Sequence, residues 1–314
     1  MSRSNSLAPS LSRRAFLRAG ALGTAAMILA PWPLGWAGDG IRRRAIPGTG
    51  ESIPVIGLGT WQTFDAPASG EQAARLERVL RRFFELGGRV VDSSPMYGRS
   101  ESTIGALAER LGITDELFFA TKVWTRGREA GVDQMQRSAE RFRTGVVDLM
   151  QVHNLLDVET HLRTLRRMKD EGAVRYIGIT HYTVGAHDDL MRLIRREPLD
   201  FVQFNYNIGE RAAEDDLLPL AEERGVATLI NEPFESGALF RAVRGEALPG
   251  WAAEFDCQTW AQFFLKYIVG HPAVTCAIPA TSDPEHVTDN TRAGFGRLPD
   301  ERQRRRMAAY FDAL

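Results

Sequence analysis

The chain has 314 residues, of which 44% are hydrophobic and 25% are charged, and its formal net charge at pH 7 is -1. This balance is ordinary for a soluble globular protein and gives no indication of the basic surface that nucleic-acid-binding proteins carry. Because the length allows one large domain or two smaller ones, the order of elements along the chain must decide between them.

Residues 1–37 have the pattern of an export signal. Arg13 and Arg14 precede an apolar run over residues 19–30, which is too short to span a membrane as a retained helix, and the small-x-small sequence GWA follows at residues 35–37. The paired arginines resemble a twin-arginine signal. We therefore expect these residues to engage the twin-arginine export machinery, and the protein to be periplasmic or otherwise exported with no permanent membrane span. The alternative is a disordered basic tail.

The strands are the clearest signal after residue 37. Residues 41–54 predict a short hairpin with PGTGES as its turn. Eight short apolar runs follow, and their lack of strict alternation favours parallel strands buried on both faces. The predicted strands are Val55–Gly59, Arg89–Asp92, Phe118–Lys122, Asp148–His153, Tyr176–Thr180, Phe201–Asn205, Val226–Asn231 and Val274–Pro279.

Segments with helical spacing separate these strands. Between the first two, Ser69 and Gln72 predict a capping box and Gly87 predicts the helix end. Apolar stripes at helical spacing are formed by Leu76, Val79, Leu80, Phe83 and Phe84, and by Leu162, Leu165 and Met168. Eight strand–helix units with no linker predict an α/β fold: a (β/α)8 TIM barrel with a short N-terminal β-hairpin, with residues 38–314 as a single domain.

A doubly wound sheet is the main structural alternative. It would place a GxGxxG turn directly after the first strand, whereas GLGTWQ at residues 57–62 has only two of the glycines. The barrel is therefore favoured, and Gly57 and Gly59 are interpreted as positions of close approach. The two cysteines, Cys257 in a predicted helical segment and Cys276 in a predicted strand, indicate neither a disulfide framework nor a zinc site.

Four side chains with proton-transfer chemistry follow predicted strands. Asp92, Lys122 and His153 end three successive strands, and Tyr97 lies on the loop after Asp92. A free phenol has a pKa of about 10, and a neighbouring ammonium lowers that value. We therefore predict that Tyr97 is a general acid, Lys122 tunes its pKa, Asp92 anchors Lys122, and His153 aligns a carbonyl oxygen. Taken singly, each residue has an ordinary structural interpretation, but their combination at three strand ends favours an active site.

Aromatic residues near the same strand ends predict the substrate pocket. Trp61, Trp124 and Phe64 are candidates for its walls. Trp251 and Trp260 lie on or near a long segment before the last strand, where either a capping loop or core packing is open.

Six motifs carry a resemblance to a known family. They are GLGTWQ at 57–62, Asp92 and Ser93 followed by SPMYGRSE at 94–101, ATKVW at 120–124, QVHN at 151–154, VQFNYN at 202–207 and IPATSDPEHVTDN at 278–290. In this order they resemble the aldo-keto reductases, over nearly everything from Arg43 onward. The resemblance implies reversible hydride transfer between a nicotinamide cofactor and a carbonyl or alcohol substrate, without a metal, and the four roles given above.

The resemblance also implies a set of cofactor contacts. Gln203 would hold the nicotinamide carboxamide, Asn290 the adenine and Thr60 the ribose, while Phe234 would stack on the nicotinamide. His181 stands where the family has an asparagine. The complete set is Thr60, Thr180, His181, Gln203, Phe234, Thr281, Ser282, His286 and Asn290.

The phosphate that separates NADP from NAD has weaker sequence support. The family's Lys-Ser pair and a later arginine are replaced here by Ala280, Thr281 and His286. A helix opened by Asp283 and Pro284 would still offer free amides to an anion. NADP(H) is favoured over NAD(H), with weak discrimination. Besides the exported reductase, the sequence leaves open an exported nucleotide-binding protein whose redox state informs a partner.

Overall fold

The computed structural model describes residues 40–314, and the predicted export signal at residues 1–37 lies outside them. The strands are β1 Arg43–Ala45, β2 Ser52–Pro54, β3 Leu58–Gly59, β4 Val90–Asp92, β5 Phe118–Val123, β6 Val147–His153, β7 Val174–Thr180, β8 Phe201–Asn205, β9 Ala227–Asn231 and β10 Cys276–Ala277. The α-helices are α1 Gly70–Glu85, α2 Ser100–Leu111, α3 Arg128–Phe142, α4 Val158–Asp170, α5 His187–Arg196, α6 Leu217–Glu223, α7 Ala238–Ala242, α8 Trp260–Val269, α9 Pro284–Arg292 and α10 Glu301–Phe311.

Strands β3 to β10 form one parallel sheet whose spatial order is their order in the chain. The two ends of this sheet meet, since Ile56 bridges Ala277 and Gly59 bridges Ala280. At the seam, a Cβ on Gly59 would lie 2.7 Å from the carbonyl oxygen of Ile278, so only glycine lets the last strand approach. The predicted (β/α)8 barrel is confirmed, and so is the close-approach interpretation of this glycine.

The predicted N-terminal hairpin is also confirmed. β1 and β2 pair antiparallel, with Arg44 opposite Ile53. Arg44 donates to the backbone carbonyls of His271 and Val269 at 2.6 and 2.7 Å. These bonds tie the hairpin to the end of α8 and to the residues that lead into β10.

The predicted helical stripes pack against the barrel. In α1, Leu76, Val79, Leu80 and Phe83 are fully buried. The predicted capping box at its start is wrong, because Ser69 occupies the N-cap position without a side-chain hydrogen bond. Gly70, the first residue of α1, has a φ of 87°, outside the helical region, so the next amides are not presented to the Ser69 hydroxyl as a regular first turn would present them.

Several side chains left open by the sequence pack in the core. Trp251 and Trp260 lie against the main hydrophobic cluster, with their rings 5.8 and 5.7 Å from Phe263 and Phe264. Both cysteines are buried and free. Cys276 lies in β10 as predicted, whereas Cys257 follows a short 3-10 helix instead of lying in an α-helix. Among the helices of residues 40–314, none is long and apolar enough to cross a bilayer.

Candidate active site

The four predicted chemical residues reach one cavity because their strands are neighbours. β4, β5 and β6 pair in parallel, so Asp92, Lys122 and His153 all emerge at the same end of the barrel. Tyr97 lies on the loop between β4 and α2. All four line a cavity of about 790 Å³, which is the size of a small-molecule site.

A buried ion pair forms the floor of this cavity. The Lys122 Nζ donates to both carboxylate oxygens of Asp92, at 2.9 and 2.8 Å, and to the carbonyl oxygen of Ser93 at 2.7 Å. These acceptors account for all three N–H groups of an ammonium. Burial alone would lower the pKa of Lys122, but the charge and hydrogen bonds of Asp92, together with Tyr97 and Glu101, outweigh it and the pKa is raised. Lys122 therefore stays charged.

Tyr97 lies next to this charge without bonding to it. The Lys122 Nζ is 5.4 Å from the centroid of the Tyr97 ring, and the Tyr97 hydroxyl has no hydrogen-bond partner within residues 40–314. Burial raises the pKa of Tyr97, Lys122 lowers it, and Asp92 and Glu232 raise it. The sequence-based expectation of a lowered Tyr97 pKa is wrong, because burial outweighs the Lys122 ammonium. Lys122 by itself does act in the expected direction. The phenol is therefore protonated at neutral pH and free to donate.

The loop that carries Tyr97 is held in place by Asp65, which lies on the loop between β3 and α1. The Asp65 carboxylate accepts from the backbone N–H of Arg99 at 2.9 Å. Gly98, which lies between Tyr97 and Arg99 in the sequence, has a φ of 60°, and a Cβ there would lie 2.4 Å from the Asp65 carboxyl group. Glycine is required at this position for Asp65 to approach, and this contact fixes the loop beside the cavity.

His153 stands between two aromatic rings. Its ring centroid is 6.4 Å from that of Tyr97, nearly perpendicular to it, and 6.1 Å from that of Trp124. Burial lowers the pKa of His153 to about 3, with Lys122 and His181 acting in the same direction. The imidazole is therefore neutral at physiological pH and acts as a hydrogen-bond donor, not as a cation.

The other predicted site residues divide into two groups. Asp92, Tyr97, Lys122 and His153 are called the tetrad below. The predicted residues that line the cavity with the tetrad are Thr60, Trp61, Thr180, Gln203 and Phe234. Those that do not line it are His181, Trp124, Thr281, Ser282, His286 and Asn290. The expectation for Phe64 is wrong, because its ring is fully buried in the hydrophobic cluster under α1 and α2.

Comparison with known proteins settles the family of this fold. The model of the Aldo/keto reductase family matches residues 55–309. The chain belongs to the aldo/keto reductase family. The (β/α)8 barrel on which its four chemical residues meet is thus that of a family of oxidoreductases, as the sequence motifs implied.

Individual relatives are distant. The chain is 28% identical to the aldo-keto reductase YhdN of Bacillus subtilis over 201 residues, which are 59% of this chain and 60% of that protein. It is 25% identical to the NADH-specific methylglyoxal reductase of Escherichia coli, over 64% of this chain and 70% of that protein. An aldo/keto reductase of Klebsiella pneumoniae in complex with NADP and acetate superposes with a TM-score of 0.71 at 23% identity, covering 84% of this chain and 94% of that one.

Amide side chains at the cavity suit the nicotinamide end of the cofactor that this family implies. Gln203 accepts from Gln151 Nε2 at 2.7 Å, and its own Nε2 lies 3.5 Å from Asp92, which links it to the ion pair. Asn154 and Asn231 also line the cavity, and their Oδ1 atoms are buried without a partner within residues 40–314. Such acceptors fit a carboxamide or hydroxyl donor from a ligand. Sequence reasoning missed both, although each lies at a strand end like Asp92 and His153.

The phosphate end fits less well than the sequence indicated. α9 begins at Pro284 as predicted, but its first amides are not free: those of Glu285 and His286 donate to Asp283 Oδ1 at 2.8 and 3.4 Å. Asp283 is itself paired with Arg75 at 2.7 Å. A carboxylate thus already occupies the position at which an anion was expected, which weakens recognition of an additional phosphate.

Proposed function

We propose that this protein is an NAD(P)(H)-dependent oxidoreductase that reversibly reduces the carbonyl group of an aldehyde, ketone or sugar to the alcohol. The observation that carries the proposal is the protonated, unbonded hydroxyl of Tyr97 beside the charged Lys122–Asp92 pair, in one cavity with a neutral His153. Membership of the aldo/keto reductase family supports the reaction class.

The chain's own residues supply the proton and the orientation. During reduction, Tyr97 donates its phenolic proton to the carbonyl oxygen, and the phenolate that results is stabilised by the positive charge of Lys122. Asp92 keeps this charge in place because it holds two of the three ammonium N–H groups. His153 donates a hydrogen bond that aligns the carbonyl oxygen. A bound nicotinamide dinucleotide supplies the hydride.

For the cofactor, we propose use of both NADP(H) and NAD(H), with a small preference for NADP(H). Thr60, Gln203 and Asn231 would hold its nicotinamide and ribose end. The structural neighbour from Klebsiella pneumoniae binds NADP, whereas the Escherichia coli relative is NADH-specific. Because Asp283 already caps α9, we expect the two kcat/KM values to lie within about tenfold of each other, which corresponds to about 1.4 kcal/mol.

The walls of the cavity favour an apolar or sugar-like substrate. Trp61, Tyr182 and Phe240 line it and are 46%, 55% and 39% exposed. Large aromatic faces that remain exposed beside a cavity favour ligands with apolar surface or with the C–H faces of a sugar ring. Trp124 extends this wall through its contact with His153.

A panel of carbonyl and alcohol substrates, assayed with NADPH and with NADH, tests the proposal. We expect oxidation of the reduced nucleotide matched by formation of the alcohol, and the reverse reaction with the alcohol and oxidised nucleotide. Nucleotide that binds but is never turned over with any aldehyde, ketone or sugar would contradict the enzyme and favour a nucleotide-binding protein without catalysis.

We also propose export of the protein, which only the sequence pattern of residues 1–37 supports. A fusion of these residues to a reporter that is active only outside the cytoplasm tests it. We expect the reporter to be active, and to become inactive when Arg13 and Arg14 are both replaced by lysine. A reporter that remains cytoplasmic with both arginines present would refute export.

A further inference from the structure

Ser94 contacts His153, the member of the tetrad whose neutral ring can carry its proton on either nitrogen. It is the second residue after β4 and is 1% exposed. Its Oγ lies 3.3 Å from His153 Nδ1 and accepts from the backbone N–H of Met96, also at 3.3 Å. The His153 ring and the Met96 N–H thus both contact one buried hydroxyl. Ser94 and His153 are 59 residues apart in the sequence.

The hydrogen-bonding capacity of this hydroxyl decides which ring nitrogen of His153 carries the proton. A neutral imidazole has one N–H, and a serine hydroxyl has one donor and two acceptor positions. If Nδ1 carried the proton, it would donate to the Ser94 Oγ, which already accepts from Met96. The Ser94 hydrogen would then need another acceptor, and the described residues offer none at this site.

The opposite arrangement satisfies the groups at this contact, which are the Ser94 hydroxyl, His153 Nδ1 and the Met96 N–H. With the proton on Nε2, the Ser94 hydroxyl donates to Nδ1 while it accepts from Met96. Leaving a buried donor unpaired is unfavourable, so this arrangement is preferred. Nε2 is then the protonated nitrogen available to the cavity that His153 lines.

We infer that Ser94 is a positioning residue that holds His153 in the Nε2-protonated tautomer, so that the imidazole presents a hydrogen-bond donor to the cavity. Its effect on carbonyl reduction rests on the proposed function, but the tautomer itself does not. The two parts can therefore fail separately.

Nitrogen NMR of histidine-labelled protein tests the tautomer. The chain has six histidines, and the His153 signals are those missing from the spectrum of His153→Gln. We expect a protonated Nε2 and an unprotonated Nδ1 in the unmodified protein, and a shift toward the other tautomer in Ser94→Ala. Protonated Nδ1 in the unmodified protein, or an unchanged Ser94→Ala spectrum, would overturn the inference.

Ser138→Ala is the matched control. Ser138 lies on α3, is fully buried like Ser94, and has a hydroxyl without a partner in the described part of the chain. Its removal takes the same atom from a buried site outside the cavity, so the His153 signals should not move. If Ser94→Ala does not fold, the spectrum of the unmodified protein and that of Ser94→Thr, which keeps the hydroxyl, still decide the question.

Kinetics test the consequence. In Ser94→Ala we expect kcat/KM for the carbonyl substrate to fall about fivefold, as for loss of one hydrogen bond, with the nucleotide Kd unchanged and Ser94→Thr restoring the rate. A changed tautomer with an unchanged kcat/KM would overturn the kinetic part alone. No turnover in the unmodified protein, with the expected tautomer present, would refute the proposed function and leave the assignment of Ser94 intact.

Discussion

Two clusters in this barrel combine a phenol, a carboxylate and a cation, yet they are built in opposite ways. In the cavity, the Lys122–Asp92 pair leaves the Tyr97 hydroxyl without a partner within residues 40–314. Beside α10, the Tyr267 hydroxyl and the Arg304 guanidinium both donate to Glu214 Oε1 at 2.6 Å. This second group, which also includes Tyr206, is called the Glu214 cluster below.

Hydrogen bonding, not residue type, separates the two clusters. Tyr206 also donates to Glu214 and accepts from Arg304, so both phenols of the Glu214 cluster have acidic protons already committed to a carboxylate. Burial raises the pKa of Tyr206 well above its ordinary value, and Glu214 acts in the same direction. The Glu214 cluster therefore stabilises the packing of α10, whereas the Tyr97 proton remains available for a ligand.

The largest expected effect comes from removing each phenol oxygen in turn. Tyr97→Phe should lower kcat/KM for carbonyl reduction by about 10²–10⁴, the usual contribution of a general acid, and leave the nucleotide Kd nearly unchanged. Tyr267→Phe should leave the rate unchanged and lower the free energy of unfolding by about 2 kcal/mol, because a bond to a charged acceptor is lost. Steady-state kinetics and denaturant unfolding of both variants measure the contrast, and similar rates for the two would contradict it.

A smaller effect follows from removing the charge that the second cluster shares. Glu214→Gln leaves the buried Arg304 without its carboxylate, and we expect the free energy of unfolding to fall by about 3 kcal/mol. Glu109→Gln is the control, since Glu109 pairs with Arg143 at the surface and should cost less than about 1 kcal/mol. Equal losses of unfolding free energy for the two variants, measured in urea, would mean that the Glu214 cluster does not stabilise the packing of α10.

Each cluster has a histidine whose lowered pKa makes the stability of the protein depend on pH. The pKa of His153 falls from 6.5 to about 3, and that of His271 beside the Glu214 cluster to about 4, both first by burial. The unfolded chain binds these protons below about pH 6.5 while the folded protein does not. Stability is therefore lost as pH falls from 6.5 toward these values. His271→Asn should flatten this decline in unfolding experiments between pH 7 and 4, and an unchanged slope would refute a neutral, partly buried His271.

The same protonation states predict the pH profile of the reaction. Since His153 is neutral and Tyr97 protonated across neutral pH, kcat/KM for carbonyl reduction should show no inflection from either group between about pH 5 and 8, and should fall only in alkaline solution as Tyr97 loses its proton. A rate that falls through pH 6 to 7 would mean that one of these groups titrates there. The measurement is kcat/KM in buffers of constant ionic strength.

The barrel could be predicted from the sequence because each strand is a short apolar run between helical stripes. The tetrad could be predicted because parallel strands place their last residues at one end. The net pKa of Tyr97 could not, since burial depends on the whole cavity wall and outweighs the single neighbour that the sequence suggested. Contacts between distant residues, such as Arg304 with Glu214, leave no local pattern at all.

The amides at the start of α9 show the same limit. Asp283 and Pro284 correctly predicted where the helix begins, but the expectation of free amides overlooked that the capping carboxylate itself takes them. A residue that marks a helix start also consumes the anion-binding groups that the start provides.

The structure of a complex with oxidised or reduced nucleotide and a slowly reacting carbonyl compound tests the central claim most directly. The distance to measure joins the Tyr97 hydroxyl oxygen to the carbonyl oxygen. A separation of about 2.7 Å, with His153 Nε2 also within hydrogen-bonding reach, is the predicted result. A carbonyl oxygen bound elsewhere in the cavity, beyond the reach of Tyr97, would contradict the proton transfer on which the account depends.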